Sequence, residues 1–287
     1  MIVPPASLRV RIIGLALVLP AALALAALYV APMLGLGRMA FNETGPTGAM
    51  VPAWSLATFE ALFGDHFTFE ITWNSMRLSL TATTLALLLS YPLALFLFRT
   101  RSRFKTLMVV LAITPMLVNG VVRVFGWLAL LGDRGLVNAA LMGIGLTKEP
   151  QRLVFNEFGV TIGLAESLMP YMILALLSGF GRLDATVEEA AASLGATPWR
   201  VFWRVTLPLS LPAVVLGFLL CFVLAMSAYI TPKLLGGGRV FLLATEIFDQ
   251  AVTTVNWPAA AALALYALLL VALLIAAYAT LTRRVEA

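Results

Sequence analysis

Two adjacent glutamates precede a run of alanines in the stretch EEAAASLGATPWRVFWRVTLPLSLP, which occupies residues 188–212. The carboxylates of Glu188 and Glu189 can form ion pairs with basic side chains of a partner protein. The short side chains of Ala190 and Ala191 leave a thin helix face that can enter a groove, and Gly195 follows after three intervening residues. One interpretation of the pattern is a docking surface. The alternative is that both glutamates only complement the helix dipole.

A second group of candidates consists of charged and aromatic residues inside apolar segments, where charges are costly and tend to face protein or water. Its members are Glu166, Tyr171, Trp127 and Arg123. One interpretation places Glu166 on a pathway for a cationic solute, with aromatic rings nearby for cation–π contact. The other pairs Glu166 with Arg123 between neighbouring helices. We favour the pair, because one anion and one cation in adjacent spans can neutralise each other.

Catalytic chemistry has little support in the sequence. It contains no GxxxxGK[ST] phosphate loop, and the glycines at 236–238 are followed by Arg239 and Val240 where lysine and Ser or Thr are required. His66 is the only histidine and Cys221 the only cysteine, so we expect neither a metal site nor a disulfide. A membrane-embedded enzyme is therefore disfavoured, and ATP hydrolysis would need a separate polypeptide.

Composition places these residues in a membrane protein. Of the 287 residues, 61% are hydrophobic and 11% are charged, and the mean hydropathy is +0.98. Soluble domains have about a quarter charged residues. Runs near twenty apolar residues predict membrane-spanning helices. Six such runs occur, at about 12–34, 76–98, 106–131, 158–180, 212–230 and 258–281. We expect residues 1–287 to form one all-α transmembrane domain.

The distribution of basic residues predicts the orientation. Eleven lie on one side of the expected spans: Arg9, Arg11, Arg99, Arg101, Arg103, Lys105, Arg182, Arg200, Arg204, Arg283 and Arg284. Six lie on the other side: Arg38, Arg134, Lys148, Arg152, Lys233 and Arg239. The positive-inside rule makes the side with eleven cytoplasmic, and an even number of spans places both termini there.

Between the fourth and fifth spans the sequence predicts two short helices joined by a sharp turn. Thr186 and Glu189 form a capping-box pattern, and Gly195 is placed to end the first helix in a left-handed conformation. Thr197 and Pro198 favour the N-cap and first position of a second helix. Its tryptophans predict that this helix lies along the bilayer surface before the chain re-enters the membrane near residue 212.

The spacing of this segment resembles the EAA loop of membrane subunits in ATP-binding-cassette (ABC) importers. The matching positions are, in order, Glu189, Ala190, Ala191, Gly195, Val205, Leu207 and Pro208. Nearly the whole chain is similar to the polyamine (spermidine/putrescine) branch of that family. The similarity is clearest in NSMRLSLTATTLALLLSYPLALFLFR from Asn74 and in TPKLLGGGRVFLLATEIF from Thr231. Residues 184–211 are called the EAA loop from here on.

The resemblance implies the type I ABC importer permease fold, with six transmembrane helices and a coupling helix in the EAA loop. It implies that this helix seats in a cleft of a cytoplasmic ATPase, with Glu189 pairing with the ATPase, Ala190 and Ala191 packed in the cleft and Gly195 forming the turn. The implied partners are two ATPase subunits carrying ATP and Mg, a second permease subunit and a periplasmic substrate-binding protein. The implied location is the bacterial inner membrane, and we expect no cofactor on this chain.

Several alternatives stay open at this point. Putrescine or spermidine is the substrate that the resemblance suggests, but relatives in this branch also carry other small polar solutes, including organophosphonates and opines. An ion-coupled secondary transporter of a small cationic solute is a different class, in which Glu166 would carry a proton. Such a transporter would have no use for a cytoplasmic docking helix. The second permease subunit is either a different chain or another copy of this one.

Overall fold

The computed structural model describes residues 8–45, 50–181, 183 and 185–285, and these residues are mostly helical. A short antiparallel hairpin pairs β1 (Glu43–Thr44) with β2 (Met50–Val51). In chain order the α-helices are α1 (Leu8–Met39), α2 (Ala57–Gly64), α3 (His66–Arg99), α4 (Lys105–Ile113), α5 (Gly120–Leu131), α6 (Leu136–Gly143), α7 (Glu157–Phe180), α8 (Ala185–Ser193), α9 (Pro198–Val201), α10 (Leu207–Ser227), α11 (Ile230–Leu235), α12 (Leu243–Phe248) and α13 (Trp257–Val285). A 3₁₀ turn (Thr114–Leu117) follows α4, and π-helical turns follow α9 (Phe202–Thr206) and α12 (Asp249–Thr253).

Six segments in the described part of the chain are helical, long and apolar enough to cross a bilayer, as the sequence predicts. They are Leu17–Met39, His66–Arg99, Gly120–Gly143, Glu157–Phe180, Pro198–Ser227 and Trp257–Tyr278. The fourth agrees with its expected bounds because Asn156 caps α7, accepting a hydrogen bond from the backbone N–H of Gly159 (2.9 Å). Arg182, which contributes to the orientation argument, lies outside the described residues.

The third span is not the single helix over 106–131 that the sequence predicts. α4 ends at Ile113, and α5 begins only at Gly120. Pro115 has no N–H to continue the α-helical hydrogen bonds, and a 3₁₀ turn forms there instead. Asn119 then starts a new helix, because its side-chain oxygen accepts a hydrogen bond from the backbone N–H of Val121 (2.9 Å).

The surface helix expected after Thr197 is not a separate element. α9, a π turn and α10 follow one another without a break over Pro198–Ser227. Pro208 is the second residue of α10 and lies inside this continuous helix, where it has no N–H to donate to the preceding turn. The wider π turn directly before it accommodates the proline without ending the helix. The helix that contains the fifth span therefore begins at Pro198, 14 residues before the expected start of the span near residue 212.

The chain divides into two compact units, which comprise the described residues within 1–65 and 249–269, and within 66–248 and 270–287. Arg38 organises the first unit at the end of α1. Its guanidinium donates to the side-chain oxygen of Asn42 (2.6 Å) and to the carbonyl of Ala53 (2.8 Å), and it lies 4.2 Å from the ring centroid of Trp54. None of the most apolar window of α1 is buried among the described residues. That surface suits contact with lipid or another protein chain.

The second unit is built around α3, α7 and α10, which pack on one another. Its buried core includes Leu78, Ala82 and Ala86 from α3, Leu164, Leu168 and Leu176 from α7, and Cys221 and Ala225 from α10. Small residues bring α7 and α10 close together, as is common between membrane helices. A Cβ atom added to Gly179 would lie only 2.0 Å from the Cβ of Ala213.

We therefore expect Gly179→Ala to destabilise the protein by about 1–3 kcal/mol, because the added methyl group forces α7 away from α10. The measurement is thermal unfolding of the purified protein in detergent. Gly126→Ala is the matched control, since a Cβ there meets no atom within 4 Å. An unchanged midpoint for Gly179→Ala would contradict the close α7–α10 contact.

Candidate functional site

The first helix of the EAA loop ends as the sequence predicts. Gly195 has φ +83°, in the left-handed region that favours glycine. The N–H of Ala196 donates to the carbonyl of Ala191 (3.1 Å), and the N–H of Gly195 donates to that of Ala192 (2.9 Å). These two bonds form a Schellman motif. Gly195 thus allows an abrupt change of direction after α8.

The residues that flank this turn agree only in part with the prediction. Thr197 caps α9 as expected, because its hydroxyl accepts a hydrogen bond from the backbone N–H of Arg200 (3.4 Å), and Pro198 takes the first helical position. The capping box is wrong. α8 already begins at Ala185, so Thr186 lies within the helix and cannot serve as its N-cap.

One face of α8 is apolar and exposed. Val187, Ala190, Ala191 and Leu194 follow an i, i+3, i+4, i+7 spacing and therefore share a face. Leu194 is 89% exposed and Val187 is 44% exposed, values that favour a contact beyond this chain. The sequence analysis missed both of these residues, although their helical spacing around the two alanines was the available signal.

The two glutamates have different surroundings. Glu189 is exposed. Glu188 is partly buried and accepts hydrogen bonds from Arg99 Nη2 at 2.7 and 2.9 Å and from the hydroxyl of Thr206 at 2.6 Å. The sequence analysis placed both carboxylates in one docking surface, whereas the carboxylate of Glu188 is engaged within the chain.

The polar cluster inside the membrane region contains the ion pair that the sequence predicts. Arg123 Nε lies 3.3 Å from Glu166 Oε2, and Trp127 Nε1 donates to the same oxygen at 3.3 Å. Arg123 also donates to the carbonyl of Pro115 (3.1 Å), in the 3₁₀ turn between α4 and α5. Both charged side chains are about one-fifth exposed. The pair joins α5 to α7 and offsets the cost of two charges in this region.

A cavity of about 360 Å³ lies beside this cluster. Its walls come from the interruption between α4 and α5, from α7, and from the chain around the end of α10. The polar groups on its lining are those of Arg123, Ser167, Tyr171, Ser227, Tyr229 and Thr231. Arg123 and Tyr171 therefore meet at one cavity, as candidates named from the sequence. Trp127 and Glu166 are not on the lining, and Glu166 contacts Arg123, which is.

Sequence reasoning missed Tyr229 and Ser227. Their signal was the polar run at the expected end of the fifth span, where α10 stops at Ser227 and Ala228 is extended (φ −72°, ψ 126°). The ring of Tyr229 stacks on that of Phe248, with 5.0 Å between centroids. Irregular backbone at this depth is tolerated where it is enclosed by protein or lines a cavity.

Comparisons with known proteins agree with this architecture. The family described as "Binding-protein-dependent transport system inner membrane component" matches residues 82–287. The spermidine/putrescine transport system permease protein PotB of Haemophilus influenzae is 35% identical over 236 residues, which are 81% of this chain and 82% of that protein. The molybdenum transport system permease protein ModB of Mycobacterium bovis is 32% identical over 204 residues, covering 70% and 75% of the two chains.

A solved structure supports the same fold. A chain of a bacterial alginate ABC transporter, in complex with an alginate pentasaccharide-bound periplasmic protein, matches with a TM-score of 0.76 and 18% identity. The match covers 95% of this chain and 94% of that one. The sequence matches, the six membrane helices and this fold agree. The chain therefore belongs to the family of binding-protein-dependent transport system inner membrane components, as a multi-pass permease subunit of an ABC importer.

Proposed function

We propose that this subunit forms half of a translocation pathway for a small polyamine, and that α8 docks on a separate ATPase to couple ATP hydrolysis to alternating access. The observation that carries the proposal is the exposed face formed by α8 and the residue after it. Val187, Ala190 and Leu194 lie there, and the side chain of Glu189 beside them is exposed. In this proposal the permease is a transport subunit, residues 1–287 act as one transmembrane domain, and ATP and Mg are bound by the partner ATPase.

The docking contact combines shape and charge. Ala190 and Ala191 allow a groove to approach the helix closely, while Leu194 and Val187 add apolar area that is otherwise exposed. Glu189 would pair with a basic residue of the ATPase. Gly195 sets the direction of the chain after α8. Glu188, which the sequence also suggested for this contact, has its carboxylate directed to Arg99 and Thr206.

The cavity beside α7 supports a pathway for a cation. Tyr171 and Tyr229 supply ring faces for cation–π contact. α10 ends at the cavity with Ser227, and helix C-termini carry partial negative charge. The positive charge of Arg123 is offset by Glu166, which also accepts the hydrogen bond from Trp127. These four groups, Glu166, Arg123, Trp127 and Tyr171, are the proposed pathway residues.

The polyamine assignment rests on the spermidine/putrescine permease of Haemophilus influenzae. The molybdenum permease at comparable identity means that the family alone does not fix the solute. Uptake in proteoliposomes should therefore be measured with labelled putrescine and spermidine, using an organophosphonate and an opine as competing candidates. Import of the organophosphonate or the opine in preference to the polyamines would overturn the polyamine assignment.

The proposed assembly places both termini and the EAA loop on the cytoplasmic side, with a periplasmic substrate-binding protein on the opposite face. The basic residues support this orientation. Affinity purification from native membranes, with mass spectrometry of the associated proteins, tests the assembly. We expect an ATPase with a GxxxxGK[ST] motif and a second permease chain, either a homologous subunit or a second copy. Recovery of the chain without an ATPase, while a known ABC complex survives the same protocol, would refute this assembly.

We expect Gly195→Val to reduce co-purification of the ATPase at least about tenfold, because a β-branched residue is strained at φ +83° and the turn after α8 would change. Gly195→Asn is the matched control, since asparagine tolerates the left-handed conformation. Glu189→Ala should weaken ATPase recovery less severely. Normal recovery and normal uptake in both Gly195→Val and Glu189→Ala would refute the docking assignment.

We expect Glu166→Gln to raise the polyamine concentration for half-maximal uptake by about tenfold, because the charge that offsets Arg123 beside the cavity is lost. The measurement combines uptake kinetics in proteoliposomes with thermal unfolding in detergent. Glu149→Gln is a control for removing a carboxylate that is exposed and outside this cluster. An unchanged half-saturating concentration together with lower thermal stability would restrict Glu166 to a structural pair with Arg123.

A further inference from the structure

Glu188 connects three helices of the second unit. It lies on α8, Arg99 is the last residue of α3, and Thr206 ends the π turn that leads into α10. Arg99 Nη2 donates to both carboxylate oxygens of Glu188, at 2.7 and 2.9 Å. The hydroxyl of Thr206 donates to Glu188 Oε1 at 2.6 Å and accepts from Arg99 at 3.4 Å. Each of the three side chains therefore contacts the other two.

Burial makes this triad more than a surface ion pair. The side chain of Glu188 is 24% exposed, that of Arg99 is 48% exposed, and Thr206 is fully buried. Exposed ion pairs contribute little because water and salt screen them. Here a buried hydroxyl fixes the position of the carboxylate, and hydrogen bonds to a charged group are stronger than those between neutral groups. The triad therefore holds α8 at a defined position.

A second connection lies deeper along the same helices. The hydroxyl of Tyr91 on α3 shares a hydrogen bond with Ser210 on α10 (2.8 Å), one helical turn beyond Thr206. The ring of Tyr91 packs edge-on against Phe180 and Phe202, with centroids 5.6 and 5.9 Å away. α3 and the start of α10 are thus joined at two successive levels, and Glu188 attaches α8 to that joint.

We infer that Glu188 is a positioning residue that, through Arg99 and Thr206, fixes α8 to α3 and α10 so that a movement of α8 is passed to the membrane helices. The inference rests on the proposed docking of α8 to an ATPase, and it assigns the two neighbouring glutamates different tasks. Glu189 is exposed and contacts the ATPase, whereas Glu188 works within this chain.

The test uses the complete complex in proteoliposomes, with Glu188→Gln, Glu189→Gln, Thr206→Val and Thr206→Ser. Valine matches the shape of threonine but removes the hydroxyl, and serine restores it. We expect Glu188→Gln and Thr206→Val to retain the ATPase while substrate imported per ATP hydrolysed falls about tenfold, as for loss of a charge-assisted hydrogen bond. Thr206→Ser should keep the wild-type ratio, and Glu189→Gln should weaken ATPase recovery.

Two outcomes would overturn the inference. In the first, Glu188→Gln loses the ATPase as severely as Glu189→Gln, which would make Glu188 a direct contact. In the second, Glu188→Gln and Thr206→Val both import the wild-type amount of substrate per ATP. Full ATPase recovery in Glu189→Gln and Gly195→Val is a different result, since it refutes the docking proposal itself.

A measurement on the full chain alone separates the triad from the docking. Spin labels at positions 102 and 193, in a Cys221→Ser background, report the distance between the residues after α3 and the end of α8. We expect a narrow distance distribution for the unmodified triad and for Thr206→Ser, and a broader one for Glu188→Gln and Thr206→Val. Equal widths in all four proteins would show that the triad does not hold α8.

Discussion

The cost of leaving a backbone N–H or carbonyl without a partner in hydrocarbon governs this structure. Such a group costs several kcal/mol, so a chain that crosses a bilayer is helical except where protein or water replaces the missing bond. Both interruptions beside the cavity obey this rule. Residues of the break before Gly120 and the extended residue Ala228 line the cavity. The same constraint that makes the spans helical therefore accounts for the irregular backbone at the cavity that we propose as part of the pathway.

Much of the fold follows from patterns that are local in sequence. The number of spans, the left-handed Gly195 and the cap at Thr197 depend on apolar length, backbone freedom and a single hydroxyl, each readable from one short segment. The interruption at Pro115 was harder to predict, because proline is common in intact membrane helices and only the cap at Asn119 makes the break definite. The continuity through Pro208 depends on a π turn, for which the sequence has no distinct signal.

The candidate site also contains one feature that the sequence could predict and one that it could not. The pair of Arg123 and Glu166 could be predicted because a lone cation and a lone anion in neighbouring spans have few other partners. The environment of Glu188 could not, since its partners Arg99 and Thr206 lie on other helices and are 89 and 18 residues away in the sequence. Adjacent helical residues point about 100° apart. Of two identical neighbouring residues, one can therefore face a partner protein while the other faces the interior of its own chain. Only the tertiary structure shows that Glu188 is the one that faces inward.

The unbroken helix over Pro198–Ser227 can act as a lever. At 1.5 Å per residue its 30 residues span roughly 45 Å, from within the EAA loop to the cavity. A tilt of about 5° at one end would displace the other end by about 4 Å, which is more than the diameter of a water molecule. A small rotation can thus be converted into an opening of molecular size without any helix having to unfold. A flexible linker at the same place would absorb that rotation, so the rigidity of this segment matters as much as its length.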